Sequence, residues 1–116
     1  MNISAFNTAL SAISAFGKKF NVSANNVANL NTNDFKRSQV TLTEQEAGGV
    51  GAKVETDDTP GAPVPEFLGE KGTDLSNVEF QHEVVDQIIA QRGMEANLKT
   101  VKTADQMTKS VIDILA

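Results

Sequence analysis

The stretch Ile3-Ser-Ala-Phe6-Asn-Thr-Ala-Leu10-Ser-Ala-Ile13-Ser-Ala-Phe-Gly17-Lys-Lys-Phe20-Asn-Val-Ser-Ala24-Asn-Asn-Val27-Ala-Asn-Leu-Asn31 decides the fold. Ile3, Phe6, Leu10, Ile13, Gly17, Phe20, Ala24, Val27 and Asn31 recur at alternating spacings of three and four, the period of a heptad seam. Small and polar residues fill the positions between them, so the apolar stripe is narrow. A helix of about 28 residues would run to roughly 42 Å at 1.5 Å per residue.

A second long pattern closes the sequence: Val84, Ile88, Leu98, Val101, Thr108, Val111 or Ile112, and Leu115 recur on one side, with polar residues between them. Asp74, Ser76 and Asn77 supply helix-capping residue types ahead of it, and no proline follows Pro65. A helix from near Asn77 to Leu115 would measure on the order of 55 to 60 Å. Its one interior glycine is Gly93. Between the helices the period changes to two. Val40 and Leu42 alternate with Thr41 and Thr43, and Val50, Ala52 and Val54 follow Ala47-Gly48-Gly49, which predicts a short hairpin. All three prolines lie in Pro60 to Pro65, which predicts an extended loop. The chain thus divides into 1–35, helix and asparagine-rich segment; 36–75, hairpin and loop; and 76–116, second helix, as one structural unit. Two helices this long cannot fold back around a compact core with some 45 residues between them. They pair as a narrow rod or bury their seams against other chains.

Composition removes most other functions. The chain has 116 residues, 40% hydrophobic and 22% charged, with a net charge of -5. The only basic clusters are the dipeptides Lys18-Lys19 and Lys36-Arg37, so nucleic acid is not an expected partner. With no cysteine and a single histidine, His82, no cofactor or metal centre is expected. Asp74, Ser76 and His82 have the residue types of a hydrolase triad but lie within nine positions and lack the nucleophile elbow, so no enzyme is expected. The Met1 to Phe16 segment has no positively charged start and is interrupted by polar residues. It reads as neither a cleaved signal nor a membrane span.

The most unusual segment is Ser23-Ala-Asn25-Asn26-Val-Ala-Asn29-Leu-Asn31-Thr32, because asparagine is a poor helix former. Two readings stand. Either Asn21, Asn25 and Asn29 form a stripe of amides on a continuing helix, fixing register between packed helices, or the helix ends here with asparagines in cap and left-handed positions.

Extended to Asn33-Asp34-Phe35-Lys36-Arg37, this segment resembles the motif A-N-N-[IV]-A-N-x-N-T, commonly followed by P-G-[YF]-K-R, of the flagellar axial family of rod, hook and hook-associated proteins. Asn33-Asp34 departs from Pro-Gly. At the other end, Ser76-Asn-Val78 and Gln91-Arg-Gly-Met-Glu-Ala-Asn97-Leu-Lys99, with Asp105-Gln-Met107, are similar to the family's C-terminal pattern. Met94 stands there in place of the usual aromatic residue. The short middle is similar to the proximal-rod proteins rather than to hook-type members, which insert whole β domains.

The resemblance implies a mainly α fold, in which long N- and C-terminal helices form an antiparallel coiled coil with a small β-hairpin and proline-containing loop between them. It implies a structural subunit of the basal-body rod, exported unfolded by the flagellar type III apparatus without a cleaved signal. Assembly in the periplasm with other rod proteins and with copies of itself would build the axial drive shaft for motility. Asn25, Asn26, Asn29, Asn31 and Thr32 are then the expected assembly motif. Ile3, Phe6, Leu10, Ile13, Phe20, Val27, Val84, Ile88, Leu98, Val101, Ile112 and Leu115 are the expected helix-packing residues. A soluble coiled-coil adaptor or export-related binding module is the alternative. Such a protein would share the terminal pattern without entering a rod.

Overall fold

The structure, a computed structural model, describes residues 3–68 and 72–116. Its elements are α1 (Ile3–Ala28), β1 (Ser38–Glu44), β2 (Val50–Thr56) and α2 (Phe80–Leu115), in the mainly helical order the sequence predicts. Gly69 to Lys71 and the packing of Ile3 lie outside the described residues and side chains. The molecule extends over 77 × 25 × 14 Å.

α1 ends inside the asparagine segment because Asn29 caps it. The Asn29 backbone N–H donates to the carbonyls of Asn25 and Asn26, at 3.2 and 3.1 Å, and its side-chain Nδ2 donates to the Asn25 carbonyl at 2.9 Å. Among the described residues Asp34 is the one non-glycine with a positive φ, 60°, at the place where the related pattern commonly has glycine. Aspartate tolerates that left-handed geometry better than most side chains. Here its carboxylate is also used: Asp34 Oδ1 accepts from the Asp74 N–H at 2.9 Å while the Asp34 N–H donates to the Asp74 carbonyl at 2.8 Å. The departure from Pro-Gly is therefore compensated by a doublet that ties the start of the connection to its end.

The two strands pair antiparallel with Val40 opposite Val54 and Leu42 opposite Ala52, as their period-two pattern requires. Gly48 and Gly49, at φ 86° and 101°, turn the chain between them. The hairpin lies along α1 and is fixed to it at both ends. At the root, Asn26 bonds both backbone groups of Ser38; at the tip, Ser11 Oγ accepts from the Val50 N–H at 3.0 Å. The lengths agree, since fifteen helical residues span about 22 Å and a seven-residue strand about 20 Å. Val40 is the strand side chain buried beneath it.

α1 and α2 pack antiparallel. The Lys19 ammonium lies 3.5 Å from the Asp86 carboxylate, Ser23 Oγ donates to the Glu83 carbonyl at 3.0 Å, and the Phe16 ring lies against Gly93. Phe16, Lys19, Ser23 and Asn26 of α1 meet α2, again at heptad spacing but one position before the apolar stripe that dominates the sequence, and the buried Ala9 and Ala12 continue their register. Ala9, Ala12, Ala15 and Ala90 are among the most buried side chains. Small residues let the two backbones approach closely, which Leu10 and Phe20 in the same places would prevent. α2 begins at Phe80, three residues after Asn77, and its N-cap Glu79 makes no side-chain cap bond. Asn77 and Ser76 are not available as caps: Asn77 is spent on the connection, and Ser76 Oγ accepts from the Val78 N–H.

Candidate assembly site

Two asparagines, one from each end of the chain, hold the root of the hairpin. Asn26 is 1% exposed; its Nδ2 donates to the Ser38 carbonyl at 2.7 Å and to Glu83 Oε1 at 3.1 Å, while its Oδ1 accepts from the Ser38 N–H at 3.0 Å. The side-chain amide thus pairs with Ser38 as a neighbouring strand would, and also supplies a donor to a carboxylate that is 2% exposed. Asn77 bridges Arg37 to the far side of the hairpin root one residue earlier. Its Oδ1 accepts from the Arg37 N–H at 2.7 Å, and its Nδ2 donates to the carbonyls of Asp57 and Thr59 at 2.7 and 2.8 Å. Buried backbone groups must be paired. A two-stranded hairpin leaves its root without a third strand, and these amides supply the missing partners.

Arg37 Nε also bonds Asp57 Oδ2 at 3.1 Å. The Thr59 hydroxyl and backbone N–H, and then Arg37, hold the Asp57 carboxyl down at about 2. A depressed folded value stabilises the native state above the ordinary carboxylate range, and that contribution is lost as the pH falls through the folded value. Asp57→Asn is accordingly expected to melt below the wild type at pH 6, and the two melting curves should converge between roughly pH 4 and pH 2. A gap that persists unchanged at pH 2 would show that the charge is not what Asp57 contributes.

The remaining motif residues are on the surface. Asn25, Asn31 and Thr32 are exposed and Asn29 is half-buried; Thr32 Oγ1 donates to Asn29 Oδ1 at 3.2 Å. Asn26 alone of the five is taken up entirely within the molecule. Of the expected helix-packing residues, Phe6, Ile13, Val27, Val84 and Val101 are half-buried. Leu10 (45%), Phe20 (38%), Ile88 (52%), Leu98 (55%), Ile112 (58%) and Leu115 (81%) are exposed.

Four of those exposed residues, Leu10, Phe20, Ile88 and Leu98, share a side. α1 and α2 are right-handed and antiparallel, so side chains one position after an interhelical residue project to the same side of the pair on both helices. On α1 that side carries Phe6, Leu10, Ile13, Gly17, Phe20, Ala24 and Val27. On α2 it carries Val84, Ile88 and Leu98, which follow Glu83, Gln87 and Asn97. Side chains one position before the seam, such as Ser11 and Ala15, look instead at Val50 and Ala52 of the hairpin. The pair therefore has a hairpin side and an apolar side. Ser76 and His82 do not join a catalytic cluster, since His82 faces Asp86 at 3.6 Å. Among the described residues no group of three or more His, Cys, Asp or Glu side chains is placed to hold a metal ion, and no helix is long and apolar enough to cross a membrane.

Both halves of this arrangement match known families. Residues 6–36 match "Flagella basal body rod protein", and residues 74–114 match "Flagellar basal body rod FlgEFG protein C-terminal". The chain belongs to the flagellar basal body rod family. No curated relative matches it. The two matched segments begin or end beside the Asp34–Asp74 doublet, each holds one of the stapling asparagines, and the hairpin and proline loop of this rod-family chain fall between them. Met94, where the related pattern has an aromatic residue, sits next to Gly93, and the ring in that part of the interhelical groove comes from α1 as Phe16. Sequence reasoning passed over Ala9, Ala12, Phe16, Ser23, Glu83 and Ala90. On α1 their signal was present as a second heptad register, less hydrophobic than the stripe beside it.

Proposed function

We propose that the chain is a structural subunit of the bacterial flagellar rod, joined to its neighbours through the apolar side of an antiparallel coiled coil formed by α1 and α2. Family membership supports the rod, and surface area supports assembly. The molecule exposes 8019 Å², whereas a compact monomer of 12.4 kDa would expose about 6,100 Å². The excess is about 1,900 Å² on one molecule, about twice the roughly 800 Å² that each partner contributes to a standard protein interface, and large apolar side chains form part of it. In this reading the chain passes through the flagellar type III apparatus unfolded and orders in the periplasm beside other rod proteins as part of the drive shaft. Weak burial in the isolated chain suits such a route, because export needs a chain that unfolds readily.

Electron microscopy of basal bodies from a deletion strain tests the proposal. Loss of the rod beyond the inner-membrane ring, restored by the intact gene, is the expected result. Normal basal bodies, together with a discrete soluble oligomer bound to a separate ligand, would favour the adaptor reading. The surface asparagines give a finer test. Asn25→Ala should raise helix stability by about 0.5 kcal/mol on propensity yet impair rod incorporation, since Asn25 is exposed. Normal incorporation of this variant would remove the assembly role from Asn25.

A further inference from the structure

The hairpin keeps a strand edge open beside a groove. At its root the Asp57 N–H donates to the Arg37 carbonyl at 2.9 Å, and at its tip the Gln45 N–H donates to the Gly49 carbonyl at 3.1 Å. Antiparallel bonding alternates along a ladder, so in this register the intervening pairs that exchange bonds are Gln39–Glu55, Thr41–Lys53 and Thr43–Gly51. Val50, Ala52 and Val54 alternate with these on β2 and turn their backbone groups away from β1. The Val50 N–H is taken by Ser11 Oγ at 3.0 Å. The outward groups of Ala52 and Val54 have no hydrogen-bond partner among the described residues. α1 crosses from the free edge of β1 at Asn26 to the free edge of β2 at Ser11, so it covers each edge at one end only. Between α1 and β2 lies a groove of about 260 Å³, with Ser14 and Lys18 on one wall and Ala52 on the other. Lys18 is exposed and makes no ion pair or hydrogen bond among the described residues.

We propose that this edge is a docking site for an extended segment of a different protein, which adds to β2 as a third strand and sets a carboxylate against Lys18. The backbone says that the occupant is a strand. An open edge presents an N–H and a C=O at every second residue, about 7 Å apart, a spacing that another extended chain matches and a helix does not. Charge says which strand. Lys18 is the free cation of the groove, whereas Lys53 on the same strand is already held by Glu55 at 2.6 Å. An exposed lysine adds little affinity but selects the sign of what lies opposite, so main-chain bonds hold the segment and Lys18 chooses an acidic one. The free edge of β1 would repel the same segment, because it ends at Glu44 with Glu46 just beyond. This chain's own extended acidic stretch, Glu55 to Asp58, is not the occupant, since Asp57 is committed to Arg37 and Thr59. The site lies on the hairpin, apart from the apolar side of the helices, and does not depend on the rod reading.

The test is nuclear magnetic resonance of the full, isotope-labelled chain, titrated to millimolar concentration with the capped peptide Thr-Val-Glu-Val-Thr and with Thr-Val-Lys-Val-Thr. The amide signals of Ala52 and Val54 should move, and their exchange with solvent should slow about tenfold at saturation. The glutamate peptide should bind roughly tenfold more tightly than the lysine peptide, and Lys18→Glu should reverse that preference. Ala52→Pro removes the outward N–H without touching a ladder bond, at an edge position where proline is tolerated. It should melt like the wild type and lose the peptide. A glutamate peptide methylated on alternate backbone nitrogens should also fail to bind, which tests the strand pairing without altering the protein. Ala52 and Val54 signals that stay in place with millimolar glutamate peptide would overturn the site. Equal binding by Ala52→Pro and by the methylated peptide would overturn strand addition, and equal binding of the two charged peptides would remove Lys18 from it. Protection of Ala52 and Val54 that grows with protein concentration in the absence of peptide would put a second copy on the edge and overturn the foreign segment.

Discussion

Asn26→Ala is expected to destabilise the protein by about 3 kcal/mol and to release the hairpin from α1. Three hydrogen bonds end at this amide, two of them to the backbone of Ser38, and the third reaches the buried Glu83. A typical intramolecular hydrogen bond is worth about 1 kcal/mol net, but leaving buried partners without a mate costs more, and a buried carboxylate stripped of its donor costs most. Alanine abandons three such groups at once, and no water-sized rearrangement restores the strand-like pairing to Ser38. Urea denaturation gives the magnitude. Hydrogen exchange gives the location: amides of Ser38 to Glu44 should lose protection while those around Ala12 and Ala90 keep theirs. Asn26→Asp separates the parts, because its near-isosteric carboxylate can still accept from the Ser38 N–H but has no donor for the Ser38 carbonyl and brings a like charge to Glu83. It should be at least as unstable as alanine near neutral pH. If Asn26→Ala costs less than about 1 kcal/mol, the amide is not what holds the hairpin root.

The second large effect is expected at the contact between Gly93 and Phe16. On propensity alone, Gly93→Ala should stabilise α2 by about 1 kcal/mol. Packing reverses the sign. The new methyl would lie 2.6 to 2.7 Å from three atoms of the Phe16 ring, well inside contact distance, and overpacking of a tight interface costs typically about 1 to 3 kcal/mol. A net loss of about 1 to 2 kcal/mol is expected, with the helices forced apart along their seam. Phe16→Leu in the same chain should recover most of it, because a smaller side chain makes room for the methyl. The thermal melts of the two single variants and the double variant form a cycle, with an expected coupling of about 1 kcal/mol or more. Additive effects would mean that the ring moves aside freely and that Gly93 has no packing role. The contrast with Gly17 in α1 is the useful one, since a Cβ added there would meet nothing within 4 Å. The same substitution is expected to lower stability at one glycine and raise it at the other, and only the neighbour across the groove distinguishes them.

These two sites show what a linear reading captures and what it misses. The hairpin was legible because period-two alternation at Val40, Leu42, Val50, Ala52 and Val54 is a local signal, and the paired glycines fix where the chain turns. The helices were legible from their heptads. The asparagine segment was legible as unusual, yet its five positions have different fates: Asn26 is consumed inside, Asn29 closes a helix, and Asn25, Asn31 and Thr32 stay on the surface. No spacing rule separates Asn25 from Asn26. Their difference depends on which side of α1 the hairpin lies, and that in turn depends on Ser11 and Asn26 meeting strands some twelve to forty residues away. The helix start expected near Asn77 moved to Phe80 for the same kind of reason, since Asn77 was recruited by Arg37, Asp57 and Thr59.

By itself the sequence determined two long helices flanking a hairpin, a slender shape and a resemblance at both termini to flagellar rod proteins, because periodicity, turn residues and short motifs are properties of neighbouring positions. The tertiary structure decided which of two adjacent heptad registers on α1 faces α2. The more hydrophobic register, Leu10, Ile13, Phe20 and Val27, is the one a sequence reading favours for the internal seam. Inside the molecule, however, close approach of backbones and the paired bonds from Ser23 and Asn26 to Glu83 place the smaller register there. The larger side chains are left facing outward, and only a three-dimensional arrangement could show that they lie together on one side, away from the hairpin.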